Sequence, residues 1–177
     1  TFAADGFSYI AVILGLALLR TADMRPSVAA QRGKGQVRAG LKYARTLPEL
    51  WLPLVMMAIV GTLAFNFQIV MPLLVKRTLH GNDTTYTLIY SVISVGSLIG
   101  ALLSARRTSV KINDITLAAF GFGFSMVLLA ITPNVACAYV IGVAVGISSI
   151  TFMTASTAIV QLRSAPEMRG RVLALQA

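Results

Sequence analysis

In an apolar chain, chemistry rests on the few polar side chains that stand among the hydrophobic ones. Within long uncharged stretches these are Thr62, Asn66 and Gln68, then Thr151, Thr154, Ser156, Thr157 and Gln161. A polar group in hydrocarbon is costly unless it is paired or faces a cavity. Each is therefore either a tie between helices or part of the lining of a passage. Thr62 and Asn66 lie four residues apart and share one helical face, whereas Gln68 is about 200° round from Asn66. The three cannot all line one cavity. Their chemistry is hydrogen bonding to a small molecule, not bond breaking.

Covalent and metal chemistry lack their components. The chain has one histidine, His80, and one cysteine, Cys137. No His-Glu-x-x-His and no Gly-x-Ser-x-Gly occurs, so a membrane-embedded enzyme would have no nucleophile, base or ligand set to use. No catalytic residue, metal or cofactor is expected. Cys137 lies in an apolar run and reads as a small packing residue.

The elements that hold these groups follow from composition. Hydrophobic residues make up 56% of the 177 positions and charged residues 12%, about half the charged share of ordinary soluble domains. A soluble surface cannot be built from that. Spanning ~30 Å of hydrocarbon takes about 20 apolar residues as a helix, and strand alternation is absent. Uncharged stretches cover Leu50 to Val75, Tyr86 to Ala105 and Ile115 to Leu162. The last is too long for one span and divides at Thr132, Pro133 and Asn134. The expectation is an all-α membrane protein with spans at 50–75, 86–105, 115–132 and 135–162. The apolar segment 1–19 reads as the end of an earlier span, and a further one starts from 172.

Several local signals refine these spans. Trp51 suits the membrane interface, and Asn82 to Thr85 offer oxygens to the amides that open the 86–105 helix. Pro72 crowds the carbonyl four residues earlier and predicts a kink. Asp114 reads as a cap for the 115–132 helix, and Asp5 as an outer-end residue. Gly96-x-x-x-Gly100 and Gly142-x-x-x-Gly146 place small residues on one face, where backbones can approach closely. Phe120, Phe122 and Phe124 are spaced by two and so are spread around their helix.

The formal net charge of +9 is explained by topology. The 20–49 connection carries seven basic residues. Arg106, Arg107 and Lys111 follow two connections later, and Arg163, Arg169 and Arg171 two later again. That is thirteen on one side, against Lys76 and Arg77 on the other. Positive charge accumulates on the cytoplasmic side, so the 20–49 loop is expected to be cytoplasmic. Charges scattered in this way cannot track a nucleic-acid backbone, and no nucleic-acid partner is expected.

Two stretches near the basic connections carry a family resemblance. Gly100-Ala-Leu-Leu-Ser-Ala-Arg106-Arg107 is similar to a degenerate second copy of the loop signature of the major facilitator superfamily, with Ser104 where an acidic residue would stand. Pro166-Glu-Met-Arg169-Gly170-Arg171 is similar to the connection between the tenth and eleventh helices of drug and siderophore exporters of that superfamily, of the enterobactin and macrolide type. The resemblance covers nearly the whole chain. It implies a partial major facilitator fold of about five transmembrane helices plus the start of another: the end of the sixth helix at 1–19, the inter-half loop at 20–49 and part of the carboxy-terminal bundle at 50–177. The missing amino-terminal half is then a partner.

The resemblance further implies a transporter of the bacterial inner membrane, with the lipid bilayer, a small-molecule substrate and protons as partners. It assigns the seventh and tenth helices to the central cavity. Thr62, Asn66, Thr151 and Thr154 become the substrate-facing candidates, and Gly100, Arg106, Arg107, Arg169, Gly170 and Arg171 the gate residues. The expected function is proton-driven efflux of small lipophilic molecules or siderophores by alternating access. The alternatives are a non-transporting scaffold or receptor of the same fold and, further off, an embedded enzyme.

Overall fold

The computed structural model describes residues 2–18, 35–64, 66–107 and 109–176. Among them every regular element is a helix, as a bilayer without water to satisfy backbone groups requires. The chain divides into two units, Thr1–Gln31 and Arg32–Ala177. The first holds α1, Phe2–Ala17, an apolar helix of 16 residues. Residues 19–34 of the basic connection, and the side chain of Asp5, lie outside the described residues.

The second unit opens with a departure from expectation. Part of the 20–49 loop is a helix, α2 at Gln36–Thr46. Gly35, at φ 89°, turns the chain into it, and Leu47 alone separates it from α3, Pro48–Ala64. The local reason is a run of helix formers, Ala39, Leu41, Lys42, Ala44 and Arg45, with Gly40 and Ala44 giving it one flat side. Sequence charge alone had hidden that side.

Within the span expected at 50–75 the backbone leaves regular α-helical geometry at Asn66 and again at Leu74. α3 ends at Ala64, Asn66 stands at φ −87° and ψ 34°, and α4 runs Phe67–Leu73 before a π-helical turn at Leu74–Thr78. The apolar segment is thereby lengthened to Pro48–Thr78, 31 residues. Pro72 sits inside α4, with irregular backbone on both sides of it rather than a single kink. Beyond it the Leu79 amide bonds to the Leu74 carbonyl at 3.0 Å and the Gly81 amide to the Val75 carbonyl at 2.8 Å.

The remaining spans are regular. α5 is Asp83–Ala105, and Asn82 caps it by accepting the Thr85 amide at 3.0 Å. α6 is Ile112–Ala130 and α7 is Val135–Arg163, with Asn134 accepting the Cys137 amide at 2.9 Å. The turn at Thr132 to Asn134 falls where its residues predict it. Cys137 is exposed on the first turn of α7 and does not pack in the core. α8, Pro166–Leu173, begins six residues before the expected 172, because Pro166 opens it at a first-turn position where no amide is needed.

Glycine sets how these helices meet. α5 and α7 run parallel, Gly96 lying against Val143 and Gly100 against Ile147 and Ile150. A Cβ on Gly100 would come within 2.7 Å of the Ile147 carbonyl oxygen, and one on Gly146 within 2.7 Å of the Ser97 amide nitrogen as well as onto the Ile93 carbonyl. At this closeness Ser97 donates its hydroxyl across the interface to the Gly146 carbonyl at 3.3 Å. α6 packs antiparallel on α7, low numbers against high: Ile115 and Ala118 share a cluster with Phe152, Ala155 and Ile159, while Phe122 and Leu129 join Ala138 and Val145. Phe122 is buried, and Phe120 and Phe124 are exposed on the far face of α6.

The backbone is what a side chain at Gly146 would strike, so Gly146→Ala is expected to cost about 2–3 kcal/mol, the upper range for overpacking. It should lower the thermal unfolding midpoint in detergent by several degrees. Gly123→Ala, where the new methyl would meet nothing within 4 Å, should leave the midpoint unchanged or raise it.

Candidate functional site

The mid-span candidates mostly bond within their own helices. Thr62 donates its hydroxyl to the Ala58 carbonyl at 2.7 Å, and Asn66 donates Nδ2 to the Thr62 carbonyl at 2.8 Å. Thr151 donates to the Ile147 carbonyl at 2.7 Å. None of these bonds joins two helices. A threonine that donates in this way keeps its lone pairs, and Asn66 keeps Oδ1 and one N–H. Thr62, Asn66 and Thr154 are exposed, and Thr151 is half-buried. Acceptors and donors are therefore available to a ligand.

The candidates do not converge in one described cavity. Asn66 borders an apolar pocket of about 160 Å³ with Leu63, Met71, Met126 and Leu129, between the α3–α4 segment and α6. Thr151 and Thr154 are not among its walls; they flank Phe152, which sits in the cluster where α7 meets Met56, Met57 and Val60 of α3. The side chain of Gln68 lies outside the described residues. Sequence reasoning found these residues from polarity alone. The interruption of the span at Asn66 gave it no signal, since neither glycine nor proline stands there.

That interruption is the most specific feature of the segment. Asn66 carries the carbonyl that accepts the first amides of α4, Ile69 at 3.2 Å and Val70 at 3.0 Å, with its own backbone outside helical geometry. In lipid-exposed helices such a departure is not tolerated; irregular backbone at membrane depth occurs where protein or a water-filled cavity surrounds it.

A second layer lies at the basic end of the bundle. Gly100 is a packing residue of α5 against α7, and Arg106 caps the end of α5 exposed to solvent. The Arg107 guanidinium pairs with Asp114 at 3.3 Å. Asp114 also accepts the Lys111 amide at 2.8 Å, so the cap read from sequence also holds an ion partner. The Ser104 hydroxyl, at the position where the resemblance would place an acid, is buried with no partner among the described residues.

Arg169, Gly170 and Arg171 fall within α8 and not in a loop before a helix. Arg169 and Gly170 are exposed. Arg171 is half-buried, with Nη1 against the Met168 sulfur at 3.3 Å and its backbone against Gly40 of α2. Sequence reading missed two ties here: Glu49 pairs with Arg163 at 3.3 Å, joining α3 to α7, and the Tyr43 hydroxyl accepts the Ala165 amide at 3.1 Å. Ala44, Leu50, Leu54, Val160 and Val172 form the apolar cluster beneath them.

A model of the transmembrane secretion effector family matches residues 1–177. The chain belongs to this family of the major facilitator superfamily. No curated protein and no solved structure matches it. As a major facilitator it is a multi-pass membrane transporter, and among the described residues four helical segments are long and apolar enough to cross the bilayer. Its superfamily is one of transporters and not of enzymes.

In this facilitator the connection between α5 and α6 is held by one acid serving two partners. Asp114→Ala removes an N-terminal cap, worth about 1 kcal/mol, together with the anchor of Arg107. The variant is expected to be cut by trypsin after Arg107 and Lys111 several times faster than the parent in vesicles that expose this end. An unchanged cleavage rate would show that the cap and the ion pair do not order the connection.

Proposed function

We propose that the chain supplies one wall of the central passage of an exporter that moves small lipophilic molecules or siderophores outward by alternating access, driven by protons, in a bacterial inner membrane with the 20–49 connection cytoplasmic. The observation that carries this reading is the non-helical backbone of Asn66 inside an apolar span. Discontinuous helices near the midplane are the device by which secondary transporters form substrate sites, since each break frees backbone and side-chain hydrogen-bonding groups at membrane depth. Asn66 is the nineteenth residue of the 31-residue Pro48–Thr78 segment, close to mid-membrane. Thr62 lies one turn below it on the same face, and Thr151 and Thr154 supply hydroxyls from α7.

The surroundings favour a lipophilic cargo. The walls beside Asn66 are aliphatic and thioether side chains, which select by shape and allow irregular molecules because methionine adapts. A single amide among them would orient a ligand by one or two hydrogen bonds. The uncharged stretches contain no acid, base or histidine, so the residue that couples transport to protons belongs to another part of the transporter.

The test is efflux from proteoliposomes that hold the whole transporter, with and without an imposed proton gradient, against lipophilic antibiotics and catecholate siderophores. Gradient-dependent flux is expected. Asn66→Ala, at unchanged expression and unfolding midpoint, should lower it about tenfold, the effect of losing one buried hydrogen bond to substrate. Flux without gradient dependence would remove the proton coupling, unaltered flux in the variant would remove Asn66 from the passage, and no flux for any substrate would favour a scaffold or receptor.

A further inference from the structure

We propose that the outer face of α2 is a binding site for the phosphate headgroup of an anionic phospholipid. Arg38, Lys42 and Arg45 follow at intervals of four and three, which places all three on one side of the helix. Each is exposed. With Gly35 and Thr46 they border an open groove of about 800 Å³.

The opposite side of α2 is committed. Gly40 and Ala44 are buried; a Cβ on Gly40 would come within 3.2 Å of the Arg171 carbonyl oxygen, and Tyr43 holds the Ala165 amide. The helix is therefore fixed in rotation, with its cations turned outward. No acid neutralises them: among the described residues none of the three is in an ion pair with an acid, and the sequence has neither Asp nor Glu between Asp23 and Glu49. Glu49, the nearest along the chain, is taken by Arg163.

Depth selects the occupant. Only Leu47 separates α2 from the start of α3, and the Arg45 guanidinium lies 5.0 Å from the centre of the Trp51 ring, within reach of a cation–π contact. Tryptophan settles at the level of the headgroups. Three uncompensated cations at that level, two of them forked guanidinium groups suited to phosphate oxygens, complement the negative surface of an anionic leaflet. A soluble anion would meet the same charges but would gain nothing from their depth.

Trp51, the single tryptophan of the chain, supplies the readout. The protein is placed in bilayers of phosphatidylcholine and phosphatidylglycerol at fixed composition, with bromine on the acyl chains of one lipid or the other. Brominated phosphatidylglycerol is expected to quench Trp51 more strongly at equal mole fraction. The excess should fall with salt and shrink roughly threefold to tenfold in Arg38→Gln with Lys42→Gln, which leaves Arg45 on the indole. Equal quenching by the two lipids overturns the proposal, as does an excess that is unchanged in the double variant. Loss of the excess on adding inorganic phosphate at constant ionic strength would also overturn it by assigning the groove to a free anion. Should the double variant not fold, an excess in the parent that is insensitive to salt overturns it equally.

Discussion

A peptide amide in hydrocarbon has no water to bond with, and everything in this molecule is arranged around that lack. It forces the spans to be helices, and it forces the side chains of Thr62, Asn66, Thr87, Ser91, Ser94, Thr116, Ser125, Ser148 and Thr151 to turn back on carbonyls of their own helices. With polar side chains so absorbed, helices cannot be joined by many side-chain bonds. Backbone proximity takes over. The α5–α7 contact is the result: Gly96, Gly100 and Gly146 let two helix backbones touch, and the hydroxyl of Ser97 bridges them at 3.3 Å. Without competing water between helices, close dispersion contact is what remains to hold them.

At the basic end, where water is available, the mode of attachment changes. Glu49 with Arg163 and Arg107 with Asp114 are ion pairs between partly exposed groups, and such pairs contribute at most about 1 kcal/mol each. Their value is positional. The apolar cluster of Ala44, Leu50, Leu54, Val160 and Val172 provides the burial, and Tyr43 fixes its edge by taking the one amide of the α7–α8 corner, that of Ala165. α2, α3, α7 and α8 thus meet in a single knot.

Much of this fold was legible in the sequence because hydrocarbon punishes charge. Each of the four described segments long and apolar enough to cross a bilayer contains an uncharged run, and Asn82 and Asn134 announced helix starts that the structure forms with those asparagine oxygens. Asp114 announced its cap equally well. What was not legible depended on distant partners. Residues 36–46 are basic and moderately polar, and only the presence of α8 makes Gly40 and Ala44 a buried face. Pro166 to Arg171 looked like a connection because arginines are unusual in a span, yet outside the hydrocarbon they are ordinary helix formers. Cys137 looked like core because its neighbours are apolar, but a crossing helix is apolar on its lipid side too. The family could be anticipated from short stretches around Arg107 and Arg169; the meeting of Asn66 with Met126 and Leu129 could not, because it brings together residues more than fifty positions apart.

Asn66 lies between α3 and α4, and Val60 of α3 packs in the clusters on both sides of it. Below it, Met56, Met57 and Val60 of α3 pack on the cluster of Ile115, Phe152 and Ile159. Above it, Met71 and Val75 are buried with Ile89, Phe122 and Val145. An unbroken helix would transmit any displacement of one end rigidly to the other, because each turn is tied to the next by backbone bonds. Asn66 itself departs from helical geometry, and its Nδ2 donates to the Thr62 carbonyl. Asn66 thus combines non-helical backbone with hydrogen-bonding groups, Oδ1 and one N–H, that its bond to Thr62 leaves uncommitted.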